Sequence, residues 1–284
     1  MIFLKRIDFK RFYYVLNFTY AFLIYKFLNQ SVNRWGFGSG NGLFENNIEA
    51  LLRYVLDKEQ NIFFVTDKNI ALDLKNIEVV KRGSFKAYLY CLQSDVLIFD
   101  NTFSDLAPGF MKFMKAIKVN VNHGQEGLKK LRSDYYTIHK INCDLTCAVS
   151  EFEKDIKVNK CGADEKTVYI TGLARNDNLF YNETKTNDIL FFPTWRAEIE
   201  SESLIENTDY YKESISILNS EKLNTILNKY NSKLYYKPHI RMKNINFINT
   251  VDNVILCGKD ENLTSIIKKT RILITDYSSV AWDY

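Results

Sequence analysis

Short runs of β-branched and aromatic residues alternate along the chain with stretches whose apolar positions recur at helical spacing. Ile62–Thr66, Glu78–Lys81, Val96–Asp100, Lys118–Asn122, Leu145–Ser150 and Thr167–Thr171 predict strands, and Ile48–Leu56, Phe85–Gln93, Phe110–Ala116 and Glu151–Lys160 predict the helices between them. Strands separated by helices of about ten residues form βαβ units, which build a parallel sheet covered on both faces. Over Asn176–Asp188 the pattern lapses into a polar stretch without periodicity, which reads as an interdomain linker. A second alternation follows, with strands Ile189–Phe192, Lys233–Tyr236, Val254–Leu256 and Arg271–Thr275, helices Ser203–Lys229 and Leu263–Lys269, and a helix start at Tyr277. The expected fold class is α/β, two consecutive domains facing a crevice. Arg271–Thr275 is an apolar run and predicts a central strand buried on both faces. The sequence stops at Tyr284, within the helix that should cover that strand, so the second domain is expected to be incomplete.

The first segment departs from this alternation. Residues 1–34 carry Lys5, Arg6, Lys10, Arg11, Lys26 and Arg34 against one acid, Asp8, and Phe12–Leu28 is rich in Phe, Tyr, Leu, Ile and Val. A bilayer span needs about 20 apolar residues. This run is shorter and is interrupted by Asn17, Thr19 and Lys26, which predicts an interfacial helix on anionic lipid. The alternative is a first helix packed on the protein's own core. A second basic region, Lys112, Lys115, Lys118, Lys129, Lys130, Arg132 and Lys140, surrounds His123 and suits a polyanion.

Composition narrows the function classes. With 46% hydrophobic residues, 11 Gly and 3 Pro, the chain is neither disordered nor collagen-like. Its five Cys include no CxxC, so neither a disulfide framework nor a zinc ribbon is expected, and the thiols read as small buried apolar groups. The net charge of +4 and the lack of any nucleic-acid-binding motif argue against a nucleic acid partner. No GxxxxGK[ST], GxSxG, HExxH or DxD occurs. The glycine-rich Gly36–Gly42 follows no predicted strand and is out of register for a dinucleotide fingerprint.

Four segments at predicted strand ends remain as candidate chemistry, because open α/β sheets bind ligands there. His123, followed by Gly124 and Gly127, is a candidate general base beside backbone N–H groups able to approach an anion. Pro193-Thr194-Trp195-Arg196 offers a forked guanidinium. Lys237-Pro238-His239-Ile240-Arg241 clusters two cations and an imidazole. In Thr275-Asp276-Tyr277-Ser278-Ser279, two hydroxyls at a helix start suit phosphate oxygens, with an ordinary N-cap as the alternative. His139 reads as structural.

Together these segments resemble the ordered motifs of the CDP-glycerol glycerophosphotransferase family, which makes teichoic acids and related capsule polymers. The likeness is carried by NHG with a following Leu-Lys-Lys, TGLARND at Thr171–Asp177, PTWR, KPH and TDYSSVAWDY at Thr275–Tyr284, and it reaches back to Phe37. The resemblance implies a GT-B-like enzyme of two Rossmann-like domains. A basic aromatic segment at 1–34 would precede an acceptor domain at 35–178, a linker at 179–188 and a nucleotide-donor domain at 189–284. It implies His123 and His239 as catalytic residues and Arg196, Thr194, Lys237, Asp276, Ser278 and Ser279 as donor-binding residues. Gly124, Lys129, Lys130 and Arg175 would form an acceptor or phosphate loop. The implied reaction is transfer of glycerol phosphate or another alditol phosphate from a CDP-alditol to a polyprenyl-linked polymer hydroxyl, at the cytoplasmic face of the membrane, with release of CMP. No cofactor is implied, and no metal ligand is assigned. A GT-B glycosyltransferase and a truncated, non-catalytic polymer-binding paralogue are the alternatives.

Overall fold

The computed structural model describes residues 9–28, 32–58, 61–70, 74–75, 77–128, 131–138, 143–179, 184–194, 208–238, 251–258 and 261–284. The chain divides into two compact units, Met1–Asp177 and Asn178–Tyr284.

In the first unit, strands β1 (Trp35–Gly38), β2 (Ile62–Thr66), β3 (Ile77–Lys81), β4 (Val96–Phe99), β5 (Ile117–Asn120), β6 (Leu145–Ala148) and β7 (Val168–Ile170) form a parallel sheet in the order β3-β2-β1-β4-β5-β6-β7. Helices α1 (Phe9–Leu28), α2 (Asn46–Leu56), α3 (Phe85–Gln93), α4 (Tyr135–Ile138) and α5 (Glu151–Asp155) accompany it. Every residue of β2 is buried, as expected for a strand covered on both faces. Successive side chains point to opposite faces. Phe63 and Val65 accordingly join a core with Tyr88 and Leu92 of α3, and Ile62 and Phe64 one with Ile48 and Leu52 of α2. The Ser84 hydroxyl caps α3 by accepting from Ala87 N at 3.2 Å.

β1 corrects the reading of the glycine-rich segment. Trp35–Gly38 is itself an interior strand of the sheet, between β2 and β4, and the turn Ser39–Gly42 leaves its carboxyl end. The four residues WGFG lack the β-branched signature of a strand. Close packing explains the glycine, because a Cβ on Gly36 would lie 2.5 Å from Phe63 Cζ.

α1 both packs on the core and leaves an apolar stripe outside. Phe18 stacks on Phe110 at 3.9 Å between centroids and meets the edge of Tyr88, while Ala21 is buried. Gly83, at φ +70°, provides room for Tyr14, whose ring a Cβ there would overlap. Phe9, Phe12, Leu23 and Phe27 remain 80%, 60%, 60% and 88% exposed. Among the described residues no helix is long and apolar enough to cross a membrane.

Several predicted helices are shorter or broken. Phe110–Ala116 holds just a 3₁₀ turn, Met111–Phe113, because the aromatic side chains of Phe110 and Phe113 pack against Phe18 rather than extend a helical face. Glu151–Lys160 is α5 followed by a π turn, Ile156–Lys160. His139, read as structural, lies outside the described residues, just after α4.

The second unit has strands β8 (Ile189–Phe191), β9 (Leu234–Tyr236), β10 (Val254–Leu256) and β11 (Ile272–Ile274), parallel in the order β10-β9-β8-β11. Its helices are α6 (Asp209–Leu218), α7 (Glu221–Lys229) and α8 (Leu263–Lys269). Where one helix was expected over Ser203–Lys229, the described part is two. Ser220 starts α7 by accepting from Leu223 N at 3.2 Å. Among the described strands β11 stands last in the order, beside β8, with Ile272 and Ile274 exposed. After it Ser278 caps a 3₁₀ turn, Ser279–Trp282, in place of the α-helix start predicted at Tyr277.

Candidate active site

The candidate residues gather at the carboxyl ends of the strands in each unit. In the first unit the chain leaves β5 through Asn122, whose φ of +54° suits asparagine in the left-handed region. Asn122 Nδ2 donates to the Cys147 carbonyl, and its backbone N–H donates to Asn120 Oδ1 at 2.9 Å. His123 follows, exposed to solvent, with its carbonyl accepting from Arg175 Nη1 at 2.7 Å. Fully buried Asn47 ties both flanks together. Its Nδ2 donates to the Asn122 carbonyl at 2.8 Å and its Oδ1 accepts from Arg175 N at 3.0 Å. The backbone that carries exposed His123 is thus held.

Beyond Gly124 a buried charged network anchors the loop. Glu153 Oε1 accepts from Glu126 N at 2.8 Å, and Oε2 accepts from Val149 N at 2.7 Å. Lys157 Nζ, fully buried, lies 3.3 Å from Glu153 and 3.5 Å from Glu126, and donates to the Tyr136 hydroxyl at 3.2 Å. That hydroxyl donates to Glu126 Oε1 at 3.1 Å. Burial pushes the Glu126 carboxyl up, and the Lys157 ammonium opposes the rise. The π turn supplies Lys157, because it carries the lysine on the stretch that continues α5.

The turn after β1 closes over two further acids. Gly40 N donates to Asp100 Oδ1 at 2.9 Å, Arg82 Nη2 donates to the Ser39 carbonyl at 2.7 Å, and Thr66 Oγ1 donates to the Gly42 carbonyl at 2.6 Å. Asp105 Oδ2 accepts from Asn101 N and Thr102 N, each at 3.0 Å. Burial, reinforced by the Asp100 charge, pushes Asp105 up to about 7.

In the second unit three neighbouring strands contribute. Thr194 follows β8, Lys237 follows β9 and Asp276 follows β11. Asp276 Oδ1 accepts from Thr194 N at 2.9 Å, from Thr194 Oγ1 at 2.5 Å and from Tyr277 N at 2.8 Å, which locks the ends of β8 and β11 together. Lys237 is buried and its Nζ donates to the Gly258 carbonyl. Ser278 Oγ accepts from Val280 N at 3.4 Å as the cap of its turn, and a hydroxyl that accepts one bond still carries a donor. Ser279 is half-buried beside it.

Of the sequence candidates, the structure therefore groups His123, Gly124 and Arg175 in one unit and Thr194, Lys237, Asp276, Ser278 and Ser279 in the other. Lys129, Lys130, Arg196 and His239 lie outside the described residues. Among the described residues no group of three or more His, Cys, Asp or Glu could hold a metal ion. Asn47, Asp100, Glu153 and Lys157 were not found from sequence. The Asn46-Asn47 pair before an apolar helical run was the one available signal, and it reads equally well as a helix start.

The sequence model of CDP-glycerol:poly(glycerophosphate) glycerophosphotransferase matches residues 30–284. The chain belongs to this family. The minor teichoic acid biosynthesis protein GgaB of Bacillus subtilis (strain 168) is 23% identical over 282 residues, covering 88% of this chain and 30% of GgaB. The chain thus spans less than a third of that relative's length. Among solved structures, a histidine-to-alanine variant of the wall teichoic acid polymerase TagF is similar with a TM-score of 0.71 at 16% identity, over 97% of this chain and 75% of that one. A histidine-to-asparagine variant of TagF soaked with CDPG gives 0.69 at the same identity and coverage. At this identity the likeness establishes the fold: α/β and GT-B-like, with two Rossmann-like units.

Proposed function

We propose that the chain transfers glycerol phosphate, or another alditol phosphate, from a CDP-alditol to the hydroxyl of a membrane-linked teichoic-acid or capsule polymer, releasing CMP. The observation that carries this reading is the exposed His123 on a backbone held by Asn47 and Arg175, in a chain of this family. His123 takes the proton of the acceptor hydroxyl, whose oxygen attacks the β-phosphorus in line. Phosphoryl transfer depends on positioning and charge neutralisation more than on covalent chemistry. The cation Lys237, the hydroxyls of Thr194, Ser278 and Ser279, and the family-derived Arg196 and His239 suit the donor pyrophosphate and the leaving CMP. Gly124, Lys129, Lys130 and the buried Arg175 serve the acceptor loop.

The site of action is the cytoplasmic face of the membrane, reached peripherally. Support comes from α1, whose exposed stripe of Phe9, Phe12, Leu23 and Phe27 lies on a helix bearing Lys10, Arg11 and Lys26 and no acid.

Incubation with CDP-glycerol and a lipid-linked acceptor tests the reaction through CMP release. His123→Ala is expected to abolish transfer while CDP-glycerol binding stays within about three-fold, because a general base acts on the acceptor. Parallel loss of donor affinity and rate would make His123 a phosphate ligand instead. Nucleotide release from a sugar nucleotide would replace the reading with a glycosyltransferase, and no turnover would replace it with a polymer-binding protein.

A further inference from the structure

His123 and Asp100 leave neighbouring strands. β4 and β5 pair in parallel with Phe99 opposite Asn120, and Val121 N donates to the Phe99 carbonyl at 2.9 Å. Asp100 therefore exits the sheet beside the stretch that ends in His123. It is 8% exposed, and Gly40 N fixes its Oδ1. Glycine at 40 permits that approach, since a Cβ there would lie 2.8 Å from Asn101 Nδ2. Among the described residues Asp100 makes no salt bridge, although a buried carboxylate without a cation is unfavourable.

The His123 imidazole and the Glu45 carboxylate, from the turn before α2, both act on Asp100 electrostatically. Asp105, from the turn after β4, feels the charge of Asp100 and of Arg82, which follows β3. Of His123 and Glu45, His123 is the one that becomes a cation by taking up a proton.

Resting on the transfer reading above, we propose that Asp100 is the charge partner of His123. It is a positioning residue whose carboxylate stabilises the imidazolium formed during transfer. In that step the acceptor O–H bond breaks and its proton moves to the imidazole. The oxygen's electron pair forms the new P–O bond, and the bond to CMP breaks with its pair leaving on CMP. Burial raises the Asp100 carboxyl, and the Gly40 N–H and the His123 charge oppose that rise. The role requires Asp100 to be ionised when the imidazolium forms, and the imidazolium later returns its proton to solvent. A carboxylate fixed in a poorly solvated site stabilises such a charge more than water does, because it needs no reorganisation when the charge appears.

Carboxyl ¹³C NMR of the full chain reads the pair without any need for activity, with Asp100→Asn identifying the Asp100 signal. His123→Gln, a change at an exposed position, is expected to move the Asp100 titration midpoint to higher pH, because it removes a cation. Glu45→Gln is expected to move it lower. An Asp100 midpoint unaffected by His123→Gln would overturn the proposal while leaving the transfer reading intact. In turnover, Asp100→Asn is expected to lower kcat about 100-fold, within the range of general acid–base contributions, with the KM for CDP-glycerol within about three-fold. Unchanged kcat would overturn the role. If Asp100→Asn does not fold, the His123→Gln and Glu45→Gln spectra still decide the coupling, with the signal identified by selective labelling. Coupled midpoints in a chain that releases no CMP would overturn the transfer reading instead.

Discussion

Asp105 shows how a single side chain in this site trades charge for burial. Its carboxyl is almost wholly buried and is pushed up to about 7, chiefly by desolvation. A carboxyl of raised pKa keeps its proton in the folded chain while the unfolded chain has already lost it, so between about pH 4 and 7 the native state binds more protons. This group's effect therefore favours the fold less as pH rises, with a limiting slope of about 1.4 kcal/mol per pH unit. Asp105→Asn, which keeps an acceptor for Asn101 N and Thr102 N, is expected to remove that slope. Urea unfolding at several pH values across this window measures it, and an unchanged slope would assign the pH dependence to other groups. The sequence does not announce this behaviour. In the run Asp100-Asn101-Thr102-Phe103-Ser104-Asp105 both acids look like ordinary polar turn residues.

Among the elements, α1 combines the two fates that its composition left open. Tyr14, Phe18, Ala21, Phe22 and Tyr25 fall on the face against α3 and the 3₁₀ turn at Met111–Phe113, and the remaining aromatics stand outside. Helical periodicity separates the two sets, but which face the domain would cover depends on α3 and Phe110, far along the chain. Deleting the helix would strip Phe18 and Ala21 from the core, so substitutions on the outer stripe make the cleaner test. Phe12→Ser with Leu23→Ser and Phe27→Ser is expected to release the protein from anionic vesicles with its thermal unfolding nearly unchanged. Added salt is expected to weaken the wild-type protein's binding, since basic residues near such a surface contribute about 1 kcal/mol each. Co-sedimentation measures both, and undiminished binding of the triple variant would move membrane attachment elsewhere.

For the molecule as a whole, Met1–Asp177 carries a seven-stranded parallel sheet with an apolar core on each face. Such a unit holds what it needs to fold by itself, and a fragment of residues 1–177 is expected to unfold in one cooperative transition by circular dichroism. A broad, non-cooperative melt would show that it depends on the second unit. The sequence by itself determined the α/β alternation, most strand positions and the strand-end motifs, because parallel strands buried on both faces are apolar runs and turns need particular residues. It also located His123, Thr194, Lys237 and Asp276 at strand ends. It missed β1, because its glycines, Gly36 against Phe63 and Leu97 and Gly38 against Asp105 and Leu106, carry no strand signature. Tertiary structure alone decided that Asn47 and Arg175 hold His123, that Lys157 lies buried between Glu126 and Glu153, and that Asp100 and His123 leave neighbouring strands. Apart from Lys157 with Glu153, four residues apart, these pairings join distant stretches of the chain, and their partners are selected by the order of strands in the sheet, which local periodicity does not encode.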